Sequence, residues 1–105
     1  MVEAVNSYEE FQELINGDEP VIFDFYADWC GPCRMISPIF ERLSKQFTAV
    51  RFRKVNIDQQ ERVSEELQIR SIPAFIVFQR GNRVNEVVGA NPASLEAAVS
   101  ALAVA

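Results

Sequence analysis

The chain contains no histidine, only two cysteines in 105 residues, and no long uninterrupted apolar run. Without imidazole there is no Ser-His or Cys-His dyad, and the commonest zinc ligand is missing. No window approaches the roughly 20 apolar residues of a membrane-spanning helix. The first residues, "MVEAVNSYEEFQELING", have no basic segment leading into an apolar core, so no secretory signal is expected and a cytoplasmic location is the default. Positive charge is also scarce. Ten Lys and Arg against fifteen Asp and Glu leave a net charge of -5, and the one basic cluster, "VRFRK" at 50-54, is short and interleaved with apolar residues. Phosphate-backbone binding needs clustered cations, so nucleic acid is not an expected partner.

What is present is an ordinary globular composition, 49% hydrophobic and 24% charged, in a length suited to one core. A single domain over 1-105, monomeric and without a membrane partner, is expected. There is no internal repeat or linker. After a short apolar start, Ser7 with Glu10 forms a capping-box pattern, and Phe11, Leu14 and Ile15 make a helical stripe ending near Gly17. "VIFDFYA", 21-27, reads as a strand buried on both faces. From about Cys30 to Phe47 apolar residues recur at helical spacing, with Pro38 expected to kink the helix. "VRFRKVNI", 50-57, is a further strand, and "DQQE" at 58-61 repeats the capping-box pattern before a short helix. "AFIVFQ" and "RVNEVV" flank a hairpin turn built on Gly81. Asn91 and Pro92 open a final Ala-rich helix. The order βαβαβαββα predicts an α/β fold with a mixed sheet covered by helices on both faces.

Both cysteines fall in "WCGPC", at the junction between the buried strand and the following helix, where sites form in open α/β sheets. Residues three apart on a helix share a face, at a Cα separation a disulfide tolerates. Cys30, at the helix start, would have its thiolate stabilised by unpaired N-H groups and the dipole. It suits the role of nucleophile, and Cys33, one turn further in, that of resolving thiol. Pro32 fits the first helical turn, and Gly31 removes bulk beside the attacking sulfur. Two other readings of the pair are open. A structural zinc site would need two more ligands, and no further Cys or His exists; a static clasp over so short a loop would restrain the unfolded chain very little. C-x-x-C beside a βαβ pattern points instead to redox exchange.

"DFYADWCGPCR", "KVNID" at 54-58, "SIP" at 71-73 and "VGAN" at 88-91, in this order across the whole chain, resemble thioredoxins. The resemblance implies the thioredoxin fold and a disulfide reductase acting on proteins such as peroxiredoxins or reductases. It implies recharging by an NADPH-dependent thioredoxin reductase, with no cofactor or metal of the chain's own. Asn85 stands where many relatives have glycine, which bears on local strand geometry. The extra cysteines of animal cytosolic thioredoxins are absent.

Asp24 interrupts its apolar strand on the face shared with Ile22 and Tyr26, a costly place for a carboxylate unless it serves something. Thioredoxins use the matching Asp beneath the active site, which implies a buried proton acceptor for Cys33; a hydrogen-bonded structural carboxylate is the alternative. Lys54, on the next strand, is either its charge partner or a solvated lysine. The resemblance implies a cis Ile72-Pro73 bond facing the cysteines, with the Ile72 backbone available to a substrate strand. Trp29 and the Val88-Gly89-Ala90 loop would complete a low rim for substrate, although Trp29 taken alone also reads as a core residue. A binding module whose cysteines only report redox state is the rival function.

Overall fold

The computed structural model describes residues 1–103. Its elements are β1 (Glu3–Ala4), α1 (Tyr8–Ile15), β2 (Val21–Tyr26), α2 (Gly31–Gln46), β3 (Arg51–Asn56), α3 (Glu61–Glu66), β4 (Ala74–Gln79), β5 (Asn82–Val88) and α4 (Pro92–Ala103). This is the order read from the sequence. The strands form one sheet in the spatial order β1-β3-β2-β4-β5. β1 and β2 flank β3 in parallel, whereas β4 runs antiparallel to β2 and to β5. The sheet is therefore mixed, and its antiparallel portion starts at the β2–β4 pairing.

β2 is central, and its alternation distributes side chains between two cores. Val21, Phe23 and Phe25 join Phe11, Leu14 and Ile15 of α1 and Val63 of α3. The rings of Phe11 and Phe23 lie 5.1 Å apart, with Phe78 edge-on to both. On the opposite face Ile22 packs with Ile36, Phe40 and Leu43 of α2 and Leu95 and Val99 of α4. Each such fully buried side chain contributes about 1.5–3 kcal/mol, offset by the entropy of ordering it. Two helices thus cover each face, and β2 ends between them.

Local chemistry sets the element ends. The Ser7 side chain accepts from the Glu10 N–H at 3.0 Å, while Glu10 Oε1 accepts from the Asn6 N–H, one residue before the cap. α2 runs through Pro38 without ending, its sixteen residues held by the buried stripe of Cys33, Ile36, Phe40 and Leu43. Asn91 Oδ1 accepts from the Ser94 N–H at the start of α4. The capping box expected at "DQQE" does not form. α3 begins at Glu61 with Gln60 as an uncapped N-cap, because the buried Asn56 side chain already takes the N–H groups of Asp58 and Gln59.

The β4–β5 turn carries positive φ at Arg80 (53°) and Gly81 (81°). The Gly81 N–H donates to the Ile15 carbonyl, tying the hairpin to α1. A Cβ at Gly81 would meet Asn16 Oδ1 at 2.9 Å. Gly81→Ala is therefore expected to lower stability by about 1–2 kcal/mol, mostly from left-handed backbone strain, as read by denaturant unfolding; an unchanged midpoint would show that the turn relaxes freely. A register shift lies between Val77 and Phe78, whose partners are Asn85 and Arg83, so Val84 is the extra residue of a bulge. Asn85 borders that bulge, and its side chain accepts from the Glu86 N–H.

Candidate active site

The parallel strands β2 and β3 end side by side, where the Ile57 N–H donates to the Tyr26 carbonyl at 2.9 Å. The chain leaving β2 then turns, the Cys30 N–H donating to the Ala27 carbonyl, and enters α2 at Gly31. Cys30 is the N-cap of that helix. Its Sγ accepts from the Cys33 N–H at 3.2 Å, so the sulfur sits on the helix's unpaired donors. Cys30 and Cys33 are joined in a disulfide, with Cα atoms 5.3 Å apart.

Whole-residue burial does not distinguish the two cysteines, at 5% and 4% exposure. Their surroundings do. Cys30 Sγ lies 4.0 Å from the Ile72 carbonyl oxygen. Cys33 lines a cavity of about 340 Å³ together with Asp24, Tyr26, Asp28, Arg34 and Lys54. Pro32 lies in the first turn of α2, and a Cβ at Gly31 would meet nothing within 4 Å, so that glycine borders open space.

Asp24 is 4% exposed, and its Oδ1 has no hydrogen-bond partner in the protein. Burial pushes its carboxyl up to about 7, against a smaller opposing pull from Lys54. Lys54 is its register partner on β3, but the ammonium lies 5.8 Å from the centre of the Tyr26 ring, over which it is placed. Burial, helped by Asp28, also raises the Tyr26 hydroxyl.

Ile72–Pro73 is a cis peptide. The Gly89 N–H donates to the Pro73 carbonyl at 2.8 Å, which holds the Val88-Gly89-Ala90 segment against the proline, and Gly89 has φ +102°. Val88 is 54% exposed. Among the described residues, no backbone bond uses the Ile72 N–H. Trp29 is 67% exposed, so it is a surface residue and not a core one.

Asp58 is the neighbour that the sequence reading used wrongly, as a helix cap. Its Oδ2 accepts from Trp29 Nε1 at 3.0 Å and pins the indole over the end of β3. Arg34, Asp28 and Ser37 were also missed; they line the cavity from exposed positions whose sequence carries no periodic signal. Asp58→Ala is expected to free the ring. Trp29 is the sole tryptophan, so its fluorescence anisotropy should fall, with a loss of about threefold in the single-turnover reduction rate; unchanged anisotropy would mean that other contacts hold the indole.

Among the described residues, no helix is long and apolar enough to cross a membrane, and no group of three or more His, Cys, Asp or Glu is placed to hold a metal ion. The family model described as Thioredoxin matches residues 2–101. A thioredoxin of Coprinus comatus is 46% identical over 101 residues, covering 94% of this chain and 95% of its own. The crystal structure of Malassezia sympodialis thioredoxin superposes with a TM-score of 0.94 at 40% identity, covering 97% of this chain and 93% of that one. A structure bearing on the thiol resolving mechanism in yeast mitochondrial 1-Cys peroxiredoxin via glutathione/thioredoxin systems superposes with a TM-score of 0.90 at 30% identity, over 95% of this chain and 94% of the other. The N-cap disulfide, the mixed sheet that presents it and similarity running the length of the chain lead to one conclusion: the chain belongs to the thioredoxin family, and it is a dithiol–disulfide oxidoreductase.

Proposed function

We propose that the chain, acting as one monomeric domain over residues 1-105, reduces disulfides in other proteins and is itself recharged by an NADPH-dependent thioredoxin reductase. The Cys30 thiolate attacks one sulfur of the substrate disulfide, and the other leaves as a thiolate. Cys33 then gives up its proton to Asp24, directly or through water, and attacks Cys30 Sγ. The second substrate thiol departs, the substrate has gained two electrons, and the Cys30–Cys33 disulfide remains. Lys54 tempers the Asp24 carboxyl. Trp29, Ile72, Pro73, Val88, Gly89 and Ala90 form the rim on which the substrate backbone lies, with Ile72 pairing to it as an added strand.

The observation that carries this reading is the division of surroundings between the sulfurs: Cys30 on the helix N-terminus facing Ile72, Cys33 opening on the Asp24 cavity. A peroxiredoxin or another reductase is a fitting class of substrate, in keeping with the peroxiredoxin system to which one similar structure relates. A reducing compartment such as the cytoplasm suits a chain whose two cysteines both serve exchange. The test is NADPH-coupled reduction of insulin with a matched reductase. Turnover that needs both cysteines is expected. Binding of partners without NADPH consumption would make the chain a redox-sensitive binding module instead.

A further inference from the structure

Beyond the rim, the segment joining α3 to β4 borders a second hollow, of about 180 Å³, which Arg70, Ser71, Ala74, Glu86 and Val88 help to line. It continues the reaction surface, because Val88 belongs to the rim and Ser71 is the residue before Ile72. The hollow contains one acid and one base, and they are not equivalent. Glu86 Oε1 is 3.0 Å from Arg83 Nη2 and is already neutralised. Arg70 makes no ion pair within 4.0 Å among the described residues. Glu65 shares with Arg70 the neighbouring hollow on the α3 side without reaching it. The uncompensated charge in this hollow is therefore positive, in a chain whose net charge is -5.

We propose that this hollow is a specificity subsite, in which Arg70 receives an acidic side chain of the polypeptide whose disulfide is reduced. The inference rests on the reductase reading above. Cys30 Sγ lies against the Ile72 carbonyl, and Arg70 precedes Ile72 by two residues on the same α3–β4 connection. A substrate strand running along Ile72 puts its acidic residue about two positions from the attacked cysteine. Ser71 adds a hydroxyl beside the carboxylate, while the exposed Val88 accepts the aliphatic stem. The field of the whole acidic chain opposes an acidic substrate, so a preference for one at this distance has to come from a local cation.

The test uses symmetrical cystine peptides of identical composition and charge, carrying Glu either two or five residues from the cysteine on both sides, with a Gln peptide as neutral reference. Single-turnover rate constants are measured with the pre-reduced protein at low ionic strength. The readout is the ratio of the two Glu peptides within each variant, so any general loss of activity cancels. Wild type is expected to favour the near-Glu peptide by about two- to fivefold, the range for an exposed ion pair. Arg70→Lys should keep a preference, Arg70→Gln should bring the ratio to about one, and Arg70→Glu should invert it. A wild-type ratio of one, or a preference that survives Arg70→Gln, overturns the subsite while leaving the reductase reading intact. Failure of the wild type to reduce even the Gln peptide overturns the reductase reading, and this inference with it.

Discussion

Cys33→Ser is expected to turn catalysis into capture. Cys30 keeps its place on the α2 N-terminus, with the helix donors still favouring its thiolate, so the first attack proceeds. Release then lacks its nucleophile. In the native chain that nucleophile lies one helical turn away, with the Cα atoms 5.3 Å apart, and such an intramolecular thiol acts at an effective concentration of about 10⁵ M or more. An external thiol at millimolar concentration cannot replace it. Turnover should fall by at least about a thousandfold, and covalent complexes with substrate should accumulate on non-reducing gels. Cys30→Ser should give neither turnover nor complexes, because Cys33 opens on the inner cavity and not on the rim. If Cys30→Ser captured substrate as well as Cys33→Ser does, the two sulfurs would have exchangeable roles and the geometry would not assign them.

Much of this architecture is legible in the residues, because most element ends carry local chemistry. Ser7, Asn91, Pro92 and Gly81 mark boundaries through hydrogen bonds and φ angles settled within a few residues. The nearly unbroken apolar run of "VIFDFY" likewise announces the two-faced burial of β2. What cannot be read locally is competition between distant groups. "DQQE" satisfies the capping pattern, but Asn56, buried at the end of β3, takes the two N–H groups first, and the Asp58 carboxylate goes to an indole 29 residues earlier in the chain. Nor does spacing along the chain bring Arg70 and Glu86 to one hollow; only the pairing of β4 with β5 does. The α3–β4 connection carries no periodic signal, so the subsite there had no counterpart in the sequence.

Asp24 is the residue whose replacement should move stability and rate in opposite directions. Burial pushes its folded carboxyl from an ordinary 3.8 up to about 7. Between pH about 4 and about 7 the unfolded chain has lost this proton while the folded chain retains it. Stability therefore declines as pH rises through that window and is level above it. A gap of about three units is worth about 4 kcal/mol, an upper bound for a carboxylate that water can approach through the adjoining cavity. Asp24→Asn removes the ionisation but leaves a buried amide to be satisfied, so a gain of about 2 kcal/mol is expected at pH 8, reversing to a loss below pH 4, where only the cost of the amide remains. The resolving step should suffer. With the buried Asp24 carboxyl gone and the cavity's other carboxylate, Asp28, at an exposed position, Cys33 ionises less readily, so release of the mixed disulfide should slow by about ten- to a hundredfold and lose its rise through pH 7. The first attack by Cys30, which faces Ile72 and not the cavity, should change little. Denaturant unfolding at pH 4 and pH 8, paired with stopped-flow measurement of the two phases, checks both halves. An Asp24→Asn protein that is less stable at pH 8 and resolves at the parental rate would make Asp24 a structural hydrogen-bonding group, whose partner is water in the cavity rather than the Cys33 proton.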